Sequence, residues 1–98
     1  MKELMLEVIQ AVAAPDFKVY AYFNDGTIHL YDAKPLIMKS SNTVFAPLQD
    51  ESVFNKTLTV LNNTVAWDIV GNRNERKCID IDPYTIYESE EISDPLAE

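Results

Sequence analysis

Two runs of aromatic and β-branched residues, Phe17 to Phe23 and Thr27 to Asp32, flank Asn24-Asp25-Gly26, a pattern that specifies a β-hairpin. Residue chemistry then points to a register. With Asp25-Gly26 as a two-residue loop, Phe23 pairs with Ile28, Tyr22 with His29, Ala21 with Leu30 and Tyr20 with Tyr31. One face then carries Phe23, Ala21, Ile28 and Leu30, and the other carries Tyr20, Tyr22, His29 and Tyr31. A three-residue loop opposes Tyr22 to Ile28 and mixes the faces, because a slip of one residue turns every side chain over. The two-residue loop is the expectation.

Other elements fall around this hairpin. Alternation from Leu4 to Val12 reads as a strand that Ala13-Ala14-Pro15-Asp16 ends. Pro35 to Lys39 fits one helical turn, Ser40 to Thr43 a loop, and a short helix begins near Asp50. Thr57 to Val60 and Thr64 to Trp67 form a strand pair joined through Leu61-Asn62-Asn63. Gly71 to Lys77 is a polar turn and Cys78 to Ile81 a short strand. Asp82-Pro83 then starts a helix, with Asp as cap and Pro at the first position, that carries Ile86 and Tyr87 inward and runs out near Glu91. The expected fold is α+β, a small, mostly antiparallel sheet with short helical turns and a C-terminal helix. Residues 1–91 form a single domain and 92–98 an acidic, frayed tail.

Chain length and charge narrow the function. A chain of 98 residues holds one core. Domains of this size bury only about 60–65% of their unfolded surface, so a partner surface would contribute materially. The formal charge of −8 is concentrated at one end: seven of the sixteen acids lie from Asp80 to Glu98, a stretch without Lys or Arg. Such a balance opposes direct nucleic-acid binding, which needs clustered bases, and leaves room for a basic protein partner. There is no membrane-length apolar run and no secretory leader, and Cys78 is the only cysteine, which together imply a cytoplasmic protein.

Signatures of catalysis are missing. Gly26 and Gly71 are the only glycines, which excludes phosphate-cradling loops, and one His with one Cys does not make a common zinc site. Asp80 and Asp82 share a strand face. They read as a turn residue and a helix cap, because a hard cation wants six or more oxygens. Trp67 reads as core with an indole N–H in need of an acceptor. No metal and no cofactor are expected.

Phe23-Asn24-Asp25-Gly26, Asp32, Phe45-Ala46-Pro47-Leu48-Gln49-Asp50, Phe54, Trp67, Ile79-Asp80-Ile81-Asp82-Pro83 and Ile86-Tyr87 follow one another in an order and spacing that resembles the bacterial domain-of-unknown-function family 2442. The likeness spans almost the whole chain. It departs between Trp67 and Asp80, where many members pass almost directly to the Asp-hydrophobe-Asp-Pro segment and this chain inserts Asp68 to Cys78. The resemblance implies a small α+β fold of prokaryotic origin, without an established activity. Members resemble accessory modules, some beside a helix-turn-helix domain and others encoded next to a small protein in a toxin–antitoxin-like arrangement. Asp25, Gly26, Trp67, Asp80, Asp82, Pro83 and Tyr87 are the structural residues of the motif.

Two functional expectations follow. The first is a protein-interaction or regulatory module, the acidic partner in a two-protein toxin–antitoxin-like system, which binds a second copy or a small basic protein through Tyr20, Tyr22, His29 and Tyr31. The second is a small enzyme or metal-dependent hydrolase using His29, Asp80 and Asp82. The Tyr/His face is either an interface or a second core layer.

Overall fold

A computed structural model describes residues 5–39, 45–69, 71 and 79–93 of the chain. The loop expected over Ser40 to Thr43, the turn expected over Gly71 to Lys77 beyond its first residue, Cys78 and, from 94 onward, the expected tail lie outside the described residues. Among the described residues, seven strands form two antiparallel sheets. The larger has the order β1 (Val8–Ala14), β2 (Lys18–Phe23), β3 (Ile28–Asp32), β7 (Glu90–Ile92), and the smaller the order β4 (Leu58–Leu61), β5 (Thr64–Trp67), β6 (Ile79–Asp80). Three short helices among the described residues accompany them: α1 (Lys34–Met38), α2 (Glu51–Thr57) and α3 (Pro83–Tyr87), with a 3₁₀ turn over Ala46–Gln49 before α2. This is the small α+β fold that the sequence pattern specifies.

Local chemistry explains most boundaries. The Asp50 side chain accepts the Ser52 N–H at 3.0 Å and starts α2. Asp82 accepts the Tyr84 N–H at 3.0 Å and starts α3, with Pro83 behind it. Asn62 and Asn63 both take positive φ, 55° and 62°, in the tight turn between β4 and β5, a conformation that asparagine tolerates. The first strand sits further along than the alternation places it, because Leu6 and Glu7 precede the ladder and a bulge between Val8 and Gln10 leaves Ile9 62% exposed.

Two expectations need correction. In the hairpin, Tyr22 pairs with Ile28, Ala21 with His29, Tyr20 with Leu30 and Val19 with Tyr31. The loop is therefore Asn24-Asp25-Gly26, closed by Gly26 N–H to Phe23 O (3.1 Å) and Phe23 N–H to Thr27 O (2.9 Å). Gly26 has φ +89°, so it serves as the left-handed third residue of a three-residue loop, not the second of two. Tyr20, Tyr22, His29 and Tyr31 consequently do not share a face. The closing helix also stops at Tyr87 rather than near Glu91, and the chain returns as β7 on the free edge of β3.

The core lies between one face of the larger sheet, the smaller sheet and the helices. Val8, Val19, Ala21, Phe23, Phe54, Val65 and Trp67 meet Ile37, Leu48, Ile81 and Ile86 there. Phe54 joins the layers by its ring contacts with Phe17 (5.3 Å) and Trp67 (5.2 Å). All three helices send their buried residues, Ile37, Phe54 and Ile86, into this one space.

Candidate functional site

The register orders the opposite face of the larger sheet, since residues directly across an antiparallel ladder project to the same side. One row reads Gln10, Tyr22, Ile28, Ile92; the next Val12, Tyr20, Leu30, Glu90; the third Ala14, Lys18, Asp32. Val12, Tyr20, Tyr22, Leu30 and Ile92 are half-buried and stand outside the core cluster. Every described helix packs on the other side, so this face has an apolar and aromatic centre with charge at its margins. The expected register set Tyr20 and Tyr22 against Ile28 and Leu30 on opposite faces, whereas all four share this one. The missed signal was the glycine at the third loop position.

His29 and Tyr31 project to the core side. His29 is 3% exposed and lies among Phe23 (ring centroids 5.2 Å) and Tyr87 (4.5 Å). Its Nδ1 is 3.0 Å from the Ser89 carbonyl and its Nε2 3.1 Å from the Thr27 hydroxyl. Tyr31 is half-buried, and burial, then the nearby Asp32 charge, push its hydroxyl pKa up.

The motif residues turn out to be joints. Asp25 accepts from the Thr27 hydroxyl (2.6 Å), the Thr27 N–H (2.9 Å) and the Tyr87 hydroxyl (2.6 Å). These bonds, the Thr27 hydroxyl foremost, hold its pKa down at about 2. The same bond to Asp25 is the main reason that the Tyr87 pKa is raised. Asn24 fastens the N-terminal segment through bonds to Met5 O (2.7 Å) and from Glu7 N–H (3.1 Å). Asp80 accepts from Asn62 (2.9 Å) and Asp82 caps α3. Trp67 is fully buried and its Nε1–H has no hydrogen-bond partner among the described residues.

Among the described residues, no hydrogen bond joins His29 to Asp80 or Asp82. The His29 ring nitrogens face Thr27 and Ser89, whereas Asp80 and Asp82 face Asn62 and the Tyr84 N–H. Among the described residues no three His, Cys, Asp or Glu side chains are grouped to hold a metal ion. An open depression of about 430 Å³ lies beside Lys56, Leu58, Asp68 and Gly71, but the Asp68 carboxylate is turned onto the Gly71 N–H at 2.9 Å. No helix among the described residues is long and apolar enough to cross a membrane.

The family model described as a protein of unknown function (DUF2442) matches residues 8–91. This chain belongs to the DUF2442 family. The matched span runs from the first residue of β1 into β7, so the DUF2442 unit contains the outer sheet face up to but not including Ile92 and the Asp25–Tyr87 joint together. No curated protein and no solved structure matches the chain.

Proposed function

We propose that this DUF2442 chain is a protein-interaction module that docks a basic partner on the outer face of its four-stranded sheet. The observation that carries the reading is the row-ordered patch of half-buried Val12, Tyr20, Tyr22, Leu30 and Ile92, which lies outside the core cluster while the three described helices pack on the other side. Tyrosines of this kind present a large contact area with a polar tip and have little rotamer freedom to lose.

Charge favours a basic partner over a second copy. Glu90 and Asp32 stand on the face beside a single base, Lys18, and two chains of −8 repel each other. Four strands about 4.8 Å apart and three rows about 7 Å apart give a footprint of roughly 300 Å². Stable interfaces need about 800 Å² per partner. A tight partner therefore reaches past the patch onto its acidic margin at Asp32 and Glu90. The acidic member of a two-protein regulatory pair of the toxin–antitoxin type fits this arrangement.

Isolation of the tagged chain from its native cell, beside a Tyr20→Thr/Leu30→Thr variant, tests the reading. The expected result is one stoichiometric basic protein held by the wild type and lost by the variant, with the Tm of the two isolated chains nearly equal. Equal retention by both chains would overturn it, and so would self-association as the sole interaction.

A further inference from the structure

Asp25-Gly26 is the only place in the chain where glycine follows an Asp or Asn. Such a pair carries its own chemistry. The glycine amide nitrogen can attack Cγ of the preceding side chain and close a cyclic imide, a succinimide: the nitrogen gives up its hydrogen, the carboxyl gives up an OH, and one water leaves. When water then opens the ring at the main-chain carbonyl, the backbone runs on through Cβ and Cγ as isoaspartate. The sequence of steps consumes and returns one water and needs no oxidant or reductant. Glycine favours closure because it has no side chain to shield its nitrogen or to restrict its backbone. Asp25 and Gly26 are both exposed, and a Cβ added at Gly26 would meet nothing within 4 Å.

The folded loop opposes each part of that closure. The Gly26 N–H donates to Phe23 O at 3.1 Å, which occupies the nucleophile. Asp25 Oδ1 accepts both the Thr27 N–H and the Thr27 hydroxyl, and Oδ2 accepts the Tyr87 hydroxyl at 2.6 Å. The Thr27 and Tyr87 hydroxyls also touch each other, so the groups around the carboxylate support one another. An oxygen must take up protons to depart as water, and a carboxylate whose lone pairs are held by donors is slow to do so. Tyr87 stands apart from the other donors, because it comes from α3, 62 positions along the chain, and the rest belong to the hairpin itself. We propose that Asp25-Gly26 is a latent isomerisation site that the Tyr87 hydroxyl keeps closed, so that lifting α3 off the hairpin loop opens it to succinimide formation. The conversion does not simply reverse when α3 returns. Isoaspartate adds one carbon to the loop backbone and displaces the carboxylate that receives Thr27 and Tyr87, so the joint cannot re-form as it was. The site stands whether or not the outer face docks a partner.

Ageing of the full-length isolated chain tests it. The folded protein is kept at one mildly acidic pH for weeks, digested, and scored for succinimide and isoaspartate at Asp25 by mass spectrometry with electron-transfer fragmentation, which tells isoaspartate from aspartate. Tyr87→Phe, which removes only the hydroxyl, should convert at Asp25 about tenfold faster than wild type, the size of a hydrogen bond to a charged group. Asp50→Ala, which loses the helix cap of α2 instead, should keep the wild-type rate. Equal rates in wild type and Tyr87→Phe overturn the proposal. So does equal acceleration in Tyr87→Phe and Asp50→Ala, which would trace the effect to general loosening of the fold. Should Tyr87→Phe fail to fold, the wild type decides alone: the folded chain should convert at Asp25 at least about tenfold more slowly than the same chain in denaturant, and equal rates overturn the proposal.

Discussion

Tyr87 donates its hydroxyl hydrogen to Asp25 over 2.6 Å, across 62 positions of sequence, and so pins the end of α3 to the hairpin loop. The bond joins two short motif segments that alone would be unremarkable. With the Thr27 hydroxyl it accounts for most of the Asp25 shift, from the ordinary 3.8 to about 2. A carboxylate held low in the folded state contributes stability that is present above 3.8 and is lost as pH falls through about 2. Asp25→Asn should therefore be less stable than wild type at neutral pH, with the gap closing over that interval. Acid unfolding followed by circular dichroism checks this, and a gap constant with pH would contradict it.

The Asp82 cap gives a second prediction. Asp82→Ala removes the acceptor of the Tyr84 N–H and should cost about 1 kcal/mol, or about 4–8 °C in Tm for a domain of this size. Asp82→Asn, which keeps a capping oxygen, should lose much less. Calcium or magnesium should leave the Tm of both wild type and Asp82→Ala unchanged.

Gly26 supplies the third. An added Cβ would meet nothing within 4 Å, yet φ is +89°, so the cost of Gly26→Ala is one of backbone conformation, about 1 kcal/mol. Gly26→Asn should recover part of it, because asparagine visits this region more readily. Denaturant unfolding of the two variants measures the difference; equal stability of wild type and Gly26→Ala would argue against the three-residue loop.

The parts of the fold that local chemistry specifies were legible in the sequence. Asp82-Pro83 and Asp50 announce helix starts because a side-chain oxygen and a fixed proline φ act within one turn, and Thr64 to Trp67 reads as the strand it forms. The hairpin register was not legible, since Asn-Asp-Gly suits both a two-residue loop and a three-residue loop with glycine third. What decides is which face the remainder of the chain covers. The core takes His29 with Ala21 and Phe23, and leaves Leu30 outside with Tyr20. Strand β7 was hidden for a related reason: Glu90 and Glu91 are poor strand formers, and their pairing with Leu30 and His29 comes from tertiary contact with the β3 edge. Tyr20 and Tyr22 were found as candidate contacts, but their neighbours on the face depend on that register.

Site-specific photo-crosslinking tests the docking face most directly. A photoreactive phenylalanine analogue placed at Tyr20 lies within the outer patch, whereas one at Tyr84, 58% exposed on α3, lies on the helix-covered side. In the native cell, the Tyr20 probe should give a single adduct with one basic protein, abolished by Leu30→Thr, and the Tyr84 probe should give none. Equal adducts from both positions, an adduct only with a second copy of the chain, or no adduct from Tyr20 would contradict the proposal that this face docks a basic partner.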